Sequence, residues 1–193
     1  MTDSLNLDKT TDPNQRVIVG LSWDPVDIPF YLKWFMPASR RSYDLDLTCY
    51  VYDDQGKFTD IVSGSQVVEQ DQTGNIYHSG DDTTGKGGGD DERIFAVLGQ
   101  LPQHIKSLVF LVTCKSAHNF GTVKNPKVRL ANAATDTEIE SITLNDKGSD
   151  KNSYIFLRLV RNDGVDKSEW SYEMIDEFHN NEDVQDWTQI LAA

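Results

Sequence analysis

Acidic and glycine residues are concentrated in one short stretch, residues 78–93, which reads H-S-G-D-D-T-T-G-K-G-G-G-D-D-E-R. Its acids flank the glycines, with Asp81 and Asp82 before them and Asp90, Asp91 and Glu92 after them. Two such groups repel one another unless a cation lies between them. Ca²⁺ takes about six to eight oxygens from carboxylates and from the main-chain carbonyls that a glycine loop exposes. The stretch therefore predicts a calcium site.

Other known loops fit this stretch less well. A phosphate-binding Walker A loop places its lysine after the glycines, whereas Lys86 precedes the glycine triplet. A dinucleotide fingerprint needs a third glycine where Asp90 stands. An EF-hand loop would have Asp81 first and Glu92 twelfth, but its required glycine is replaced by Lys86. A solvated acidic hairpin loop stays open as the plain alternative, because charge runs are commonly just exposed.

The histidines and cysteines give no catalytic pattern. His78, His104, His118 and His179 form neither H-E-x-x-H nor a close pair, and no serine lies in G-x-S-x-G. His78 borders the loop, where it either orients a carboxylate or bonds to the main chain. The acids could hold Mg²⁺ for phosphoryl chemistry, but no base or arginine clamp accompanies them. We therefore expect binding rather than catalysis.

The composition is that of an acidic globular protein. The 193 residues include 31 acidic and 18 basic ones, a net charge of −13, which repels nucleic acid and anionic lipid. Two cysteines, Cys49 and Cys114, are too few for a disulfide framework. No apolar run is long enough to cross a membrane or to serve as a signal peptide. We expect a cytoplasmic protein with reduced thiols and no membrane insertion.

Short β-branched and alternating segments separated by turn residues predict an all-β fold. In residues 44–53, Leu45, Leu47, Cys49 and Val51 alternate with polar and aromatic residues. Residues 107–113 are almost continuously apolar, as in a buried central strand. The further predicted strands are 16–22, 57–62, 64–69, 94–98, 127–131, 138–144, 154–162 and 168–175. So many short strands indicate a two-sheet β-sandwich.

The remaining segments are predicted to be less regular. Residues 1–15 are polar and expected to be weakly held, and residues 27–41 are expected to form a loop or an irregular edge strand. Near the C-terminus, Asn181 could cap a short helix whose apolar face carries Val184, Trp187, Ile190 and Leu191. The predicted division is a sandwich over residues 1–180, with residues 181–193 as a helical segment packed on it.

Four segments in order resemble a known family. They are Trp23-Asp24, the D-L-D of residues 44–46, the central loop of residues 78–92, and N-F-G-T-V-K-N at residues 119–125. Together they resemble the tellurium-resistance TerD-like domain family over roughly residues 17–175. The resemblance implies a β-sandwich similar to a C2 domain that binds Ca²⁺ through the D-L-D pair and the glycine loop. It also implies a bacterial stress role alongside other stress-system proteins.

The resemblance carries a set of metal-binding positions onto this chain. They are Asp44, Asp46, Asp81, Asp82, Thr83, Gly85, Gly87, Asp90, Asp91 and Glu92. Asp82 stands where the family usually has asparagine, and residues 115–121 are shorter than the corresponding family segment. Strand geometry is compatible with the first two positions, because residues two apart on a strand point to the same side; plain solvent exposure at a strand end is the alternative.

Two function classes therefore stay open. The first is a calcium-binding stress-response module that acts by binding. The second is a metal-dependent protein or enzyme for phosphates or nucleotides, including cyclic AMP, which some members of the resembled family are described as binding.

Overall fold

A computed structural model describes residues 2–5, 12–29, 31–32, 34–37, 42–65, 67–115, 118–162 and 169–192. Its strands, in chain order, are β1 Thr2–Ser4, β2 Arg16–Asp24, β3 Leu45–Asp53, β4 Phe58–Val62, β5 Ile76–His78, β6 Glu92–Val97, β7 Ile105–Cys114, β8 Lys124–Asn132, β9 Glu138–Thr143, β10 Ser153–Arg161 and β11 Trp170–His179. A single helical turn, α1 Trp187–Ile190, follows β11.

The strands form two antiparallel sheets that face each other. One has six strands in the order β1-β11-β10-β7-β3-β4, and the other has five in the order β5-β6-β2-β8-β9. The predicted central strand is β7, which lies between β10 and β3. The predicted all-β sandwich with a short C-terminal helix is confirmed.

Strand β3 shows how the sequence builds the core. Its residues Leu45, Leu47, Cys49 and Val51 belong to the main core, which contains residues of both sheets. The intervening Tyr50 and Tyr52 lie on the opposite face, in a second cluster with Leu191 of the C-terminal segment. The predicted alternation is therefore confirmed, and the face that the sequence left polar and aromatic is covered by the chain end.

The C-terminal helix differs from the prediction in its length and in its cap. Residues Asn181–Asp183 form a separate 3-10 turn, and Val184 is extended, so the helical spacing is interrupted. Asp186 caps α1 instead, since its Oδ1 accepts a hydrogen bond from the Thr188 amide at 2.9 Å. The predicted cap, Asn181, accepts from Trp187 Nε1 at 2.9 Å.

One predicted short strand was wrong, and two short strands were missed. The described residues of 64–69 form turns, closed by the bond from Val68 N to Ser65 O at 2.8 Å, and not a strand. Strands β1 and β5 were missed, and β1 is held by its pairing with β11. The described part of 27–41 contains turns, and its other residues, like residue 168 of the last predicted strand, lie outside the described ones. No helix among the described residues has the length and apolar character to cross a bilayer.

Candidate metal centre

The site lies where the two sheets meet, between the start of β3 and the start of β6. Glu92, the first residue of β6, is fully buried. Its Oε2 accepts a hydrogen bond from the Leu47 amide of β3 at 2.8 Å, which joins the two sheets. Its Oε1 lies 3.2 Å from the Asp82 amide, which donates to it. A buried carboxylate thus fixes the glycine loop against the D-L-D segment.

His78 supports Glu92 from the neighbouring strand. Its Nδ1 accepts a hydrogen bond from the Gly80 amide at 3.0 Å, so a proton on a neutral ring is carried by Nε2. Nε2 lies 3.3 Å from Glu92 Oε2, and both side chains are fully buried. The structure therefore shows both roles considered from the sequence, the bond to the main chain and the contact with a carboxylate.

Three acids from separate segments converge at this point. Asp46, Asp81 and Glu92 each offer one carboxylate oxygen, and these oxygens lie within 4.8 Å of one another. Asp46 is only 3% exposed. Its Oδ2 is buried and has no hydrogen-bond partner within the described part of the chain. A buried carboxylate oxygen without a donor is costly, and a cation would satisfy it.

The electrostatics of this cluster favour a cation. Burial raises the pKa of Asp44, Asp46 and Glu92 above their usual values. The negative charge of Asp81 raises the pKa of Asp44 and Asp46 further. The Lys115 ammonium bonds Asp46 Oδ1 and acts in the opposite direction on Asp46, but burial prevails. Three carboxyls whose ionisation is disfavoured by burial, beside the carboxylate of Asp81, fit a hard divalent ion with oxygen ligands.

The glycine loop carries a second, smaller group of acids. Asp82 Oδ1 accepts hydrogen bonds from Thr84 Oγ1 at 2.8 Å and from the Gly85 amide at 2.9 Å. Burial alone would raise the pKa of Asp82, but the bonds from Thr84 and Gly85 outweigh it and lower the pKa. Asp91 Oδ2 accepts from the Trp23 amide at 2.9 Å. Burial, together with the charge of Asp82, raises the pKa of Asp91.

The remaining predicted loop positions, Thr83, Gly85 and Gly87, contribute no carboxylate. Gly85 is buried with φ +61, and a Cβ there would lie 2.5 Å from Trp23 Nε1. Thr83 and Gly87 are exposed, and each has a main-chain carbonyl that could serve as an ion ligand. An asparagine, usual in the resembled family where Asp82 stands, would offer the same capping oxygen. Relative to asparagine, Asp82 adds a negative charge and a second acceptor oxygen, Oδ2, in place of an amide donor.

Asp90 is placed differently from the other predicted ligands. Arg129 binds both of its oxygens, with Nε to Oδ1 and Nη2 to Oδ2 each at 2.8 Å. Arg93 Nε donates to Oδ2 at 3.0 Å. The carboxylate packs on Gly20, where a Cβ would lie 2.4 Å from Asp90 Cγ. The charge of Asp90 is already neutralised, so its carboxylate has a structural role.

Sequence reasoning missed Arg129 and Lys115, which set the charge balance of the site. The position of Lys115 can be deduced only once the pairing of β3 with β7 is known. Cys114 pairs with Leu45, so Lys115, the next residue, must lie beside Asp44 and Asp46. The shortened segment that begins at Lys115 includes residues 116 and 117, which lie outside the described ones.

Comparison with known proteins identifies the family and agrees with the fold. A sequence model of the TerD domain matches residues 2–182. The chain belongs to the TerD domain family. Among curated relatives of this TerD-domain chain, general stress protein 16U of Bacillus subtilis is 30% identical over 178 residues, covering 89% of this chain and 84% of the relative. Tellurium resistance protein TerZ of Serratia marcescens is 31% identical over 161 residues, covering 83% and 81%.

Solved structures show the same fold. The crystal structure of a homologue of the telluride resistance protein TerD from Streptomyces coelicolor superposes with a TM-score of 0.68 at 20% identity. The match covers 86% of this TerD-domain chain and 90% of that chain.

Proposed function

We propose that this TerD-domain chain binds Ca²⁺ and acts in a bacterial stress response by binding rather than by catalysis. The observation that carries the proposal is the buried Oδ2 of Asp46, which has no donor among the described residues and lies in a cluster with Asp81 and Glu92. A Ca²⁺ ion would supply the positive charge that this cluster lacks.

The chain offers the oxygen ligands that Ca²⁺ requires. Asp46 and Glu92 are buried and held in place by their strands, whereas Asp81 is exposed and can adjust to an ion. Asp44 adds a carboxylate at the start of the same strand as Asp46. Main-chain carbonyls of the glycine loop, and Asp82 or Asp91 beside it, are available to complete a shell of about six to eight oxygens.

A role in stress response, and a cytoplasmic location, rest on the family and not on this site. The relatives bear names of tellurium-resistance and general stress proteins. Cys49 and Cys114 are buried and are not joined by a disulfide, which is consistent with a reducing compartment. Other stress-system proteins are the proposed partners.

The second candidate, a phosphate- or nucleotide-binding protein or enzyme, gains no support from the described residues. A phosphate site needs free cationic donors. Two arginines beside the loop, Arg93 and Arg129, are bound to Asp90. The cluster that remains is acidic and would repel phosphate.

Thermal unfolding of metal-stripped protein tests the proposal. We expect the melting temperature to rise with added Ca²⁺ and to fall again with a chelator, because an ion at about a hundred times its dissociation constant adds about 2.7 kcal/mol of stability. The isosteric Asp46→Asn should lose this response, whereas Asp27→Asn, an exposed acid paired with Lys124, should keep it. A wild-type melt that is unchanged up to millimolar Ca²⁺ would contradict calcium binding.

A further inference from the structure

Lys115 is placed against the acidic cluster by the main chain. Strand β7 ends at Cys114, which pairs with Leu45 at the start of β3. The Lys115 amide then donates to Asp44 O at 2.9 Å. The Cα of Lys115 is therefore fixed beside the D-L-D segment whatever its side chain does.

The side chain of Lys115 has one end in the cluster and the rest in solvent. Its ammonium bonds Asp46 Oδ1, while the side chain is 60% exposed and the Asp46 side chain is 4% exposed. A lysine ammonium is a compact charge on a flexible stem, so it can leave this contact without disturbing the backbone. Lys115 bonds Oδ1 of Asp46. The buried Oδ2 of Asp46 has no donor among the described residues.

We infer that Lys115 is a built-in competitor for the cation site, which sets its affinity and selects for divalent over monovalent ions. The inference rests on the proposed calcium binding and concerns its regulation. An incoming ion must displace the ammonium from Asp46 before it can use both carboxylate oxygens.

The selectivity follows from charge. Asp44, Asp46, Asp81 and Glu92 carry four negative charges when ionised, and Lys115 offsets one of them. A sodium or potassium ion that replaces the ammonium brings no additional charge and loses a charge-assisted hydrogen bond. A calcium ion brings twice the charge of the ammonium, and it can bind Oδ1 and Oδ2 together. The displaced lysine then regains its hydration, because its stem already lies in solvent.

A first experiment compares three variants of the full chain by calorimetric titration with Ca²⁺. Lys115→Met removes the charge and keeps the length, and we expect about tenfold tighter binding, equivalent to about 1.4 kcal/mol. Lys115→Arg keeps the charge and should bind within a few-fold of wild type. Lys124→Met is the matched control, since Lys124 is a half-exposed lysine paired with Asp27 outside the cluster. It should bind as wild type does.

The same variants test selectivity. In Lys115→Met, sodium chloride should raise the melting temperature more than choline chloride of equal ionic strength, because the vacated place accepts a small cation. In wild type and in Lys124→Met the two salts should act alike. Equal behaviour of the salts in Lys115→Met would overturn the selectivity part of the inference.

A second experiment uses wild-type protein, so it does not depend on a variant that folds. Lysine acetylation by a water-soluble reagent is followed by mass spectrometry at each lysine, with and without Ca²⁺. We expect the rate at Lys115 to rise several-fold when Ca²⁺ releases its ammonium, while the rate at Lys124 stays constant. An unchanged or slower rate at Lys115 would overturn the inference.

The outcomes separate this inference from the proposed function. If no protein binds Ca²⁺, calcium binding itself fails and Lys115 has nothing to compete with. If wild type binds, and Lys115→Met binds with the same or weaker affinity than Lys124→Met, calcium binding stands and the competition fails. Tighter binding in Lys115→Met together with wild-type affinity in Lys115→Arg supports both.

Discussion

Neighbouring acids of the glycine loop have different roles because their side chains meet different partners. Asp90 is bound on both oxygens by Arg129, whereas Glu92, two residues later, receives main-chain amides and joins the cluster. The sequence predicted both as ligands. On a regular strand they would share a face. Strand β6 begins only at Glu92, however, so Asp90 lies before the regular strand, and its carboxylate contacts Arg129 instead.

The first prediction separates a structural acid from a ligand. Asp90→Asn should destabilise the protein by about 2–3 kcal/mol, because the largely buried Arg129 loses its buried carboxylate partner and keeps only the exposed Asp136. Ca²⁺ affinity of the folded variant should change less than about twofold, equivalent to about 0.4 kcal/mol. Denaturant unfolding and Ca²⁺ titration measure the two effects.

Asp136→Asn is the matched control for this change. Asp136 bonds the same Arg129 Nη2 at 2.8 Å but its side chain is 69% exposed, so its loss should cost less than about 1 kcal/mol. A large loss of Ca²⁺ affinity in Asp90→Asn, with stability unchanged, would show that Asp90 is a ligand after all.

At the scale of elements, long strands were predictable and short ones were not. Strand β3 has nine residues whose alternation is unambiguous. Strand β5 has three, Ile76–His78, too few for a period to emerge, although Ile76 and His78 point inward and Tyr77 outward. Strand β1 exists through its pairing with β11, a contact between the two ends of the chain that no local pattern indicates. Residues 64–69 contain apolar residues, but Val67 is 90% exposed on a turn.

The second prediction concerns the loop between β5 and β6. Gly85→Ala should destabilise the protein by about 2–4 kcal/mol, because φ +61 is unfavourable for alanine and the new Cβ would overlap the Trp23 indole. Since the same loop carries Asp82 and Asp91, the variant should also weaken Ca²⁺ binding. Denaturant unfolding and Ca²⁺ titration test both.

Gly88→Ala is the control within the same loop. A Cβ at Gly88 would meet nothing within 4 Å, and its φ is not positive. The expected change in stability is less than about 0.5 kcal/mol. If Gly88→Ala destabilised the protein as much as Gly85→Ala, the tight packing of Trp23 on Gly85 would not be the cause of the destabilisation.

At the scale of the whole molecule, the sandwich brings the D-L-D segment and the glycine loop together from different sheets. Asp46 belongs to the six-stranded sheet and Glu92 to the five-stranded one. The sequence predicted two sheets and the family's ligand positions. It could not predict which side chains face each other across the interior, because that depends on the packing of one sheet on the other. The arginine pairing of Asp90 and the lysine beside Asp46 both follow from that packing.

The third prediction is the pH dependence of calcium stabilisation. The pKa values of Asp44, Asp46 and Glu92 are raised in the folded protein, mainly by burial. A carboxyl with a raised pKa binds its proton more tightly in the folded state than in the unfolded state. In the metal-free protein, the cluster therefore makes folding more favourable as the pH falls toward the ordinary carboxyl range near about pH 4. Ca²⁺ requires the ionised forms, so protons compete with it over the same range.

We therefore expect the Ca²⁺-induced rise in melting temperature to be largest near pH 7.5 and to shrink progressively toward pH 5. Calorimetric scans with Ca²⁺ and with chelator at each pH give the difference. The chelator series is the control, because it measures how low pH changes the stability of the metal-free protein. One such change is loss of the Arg129 pairing, which holds the pKa of the buried Asp90 low. A Ca²⁺ effect of constant size over this range would mean that the ion binds acids outside the buried cluster.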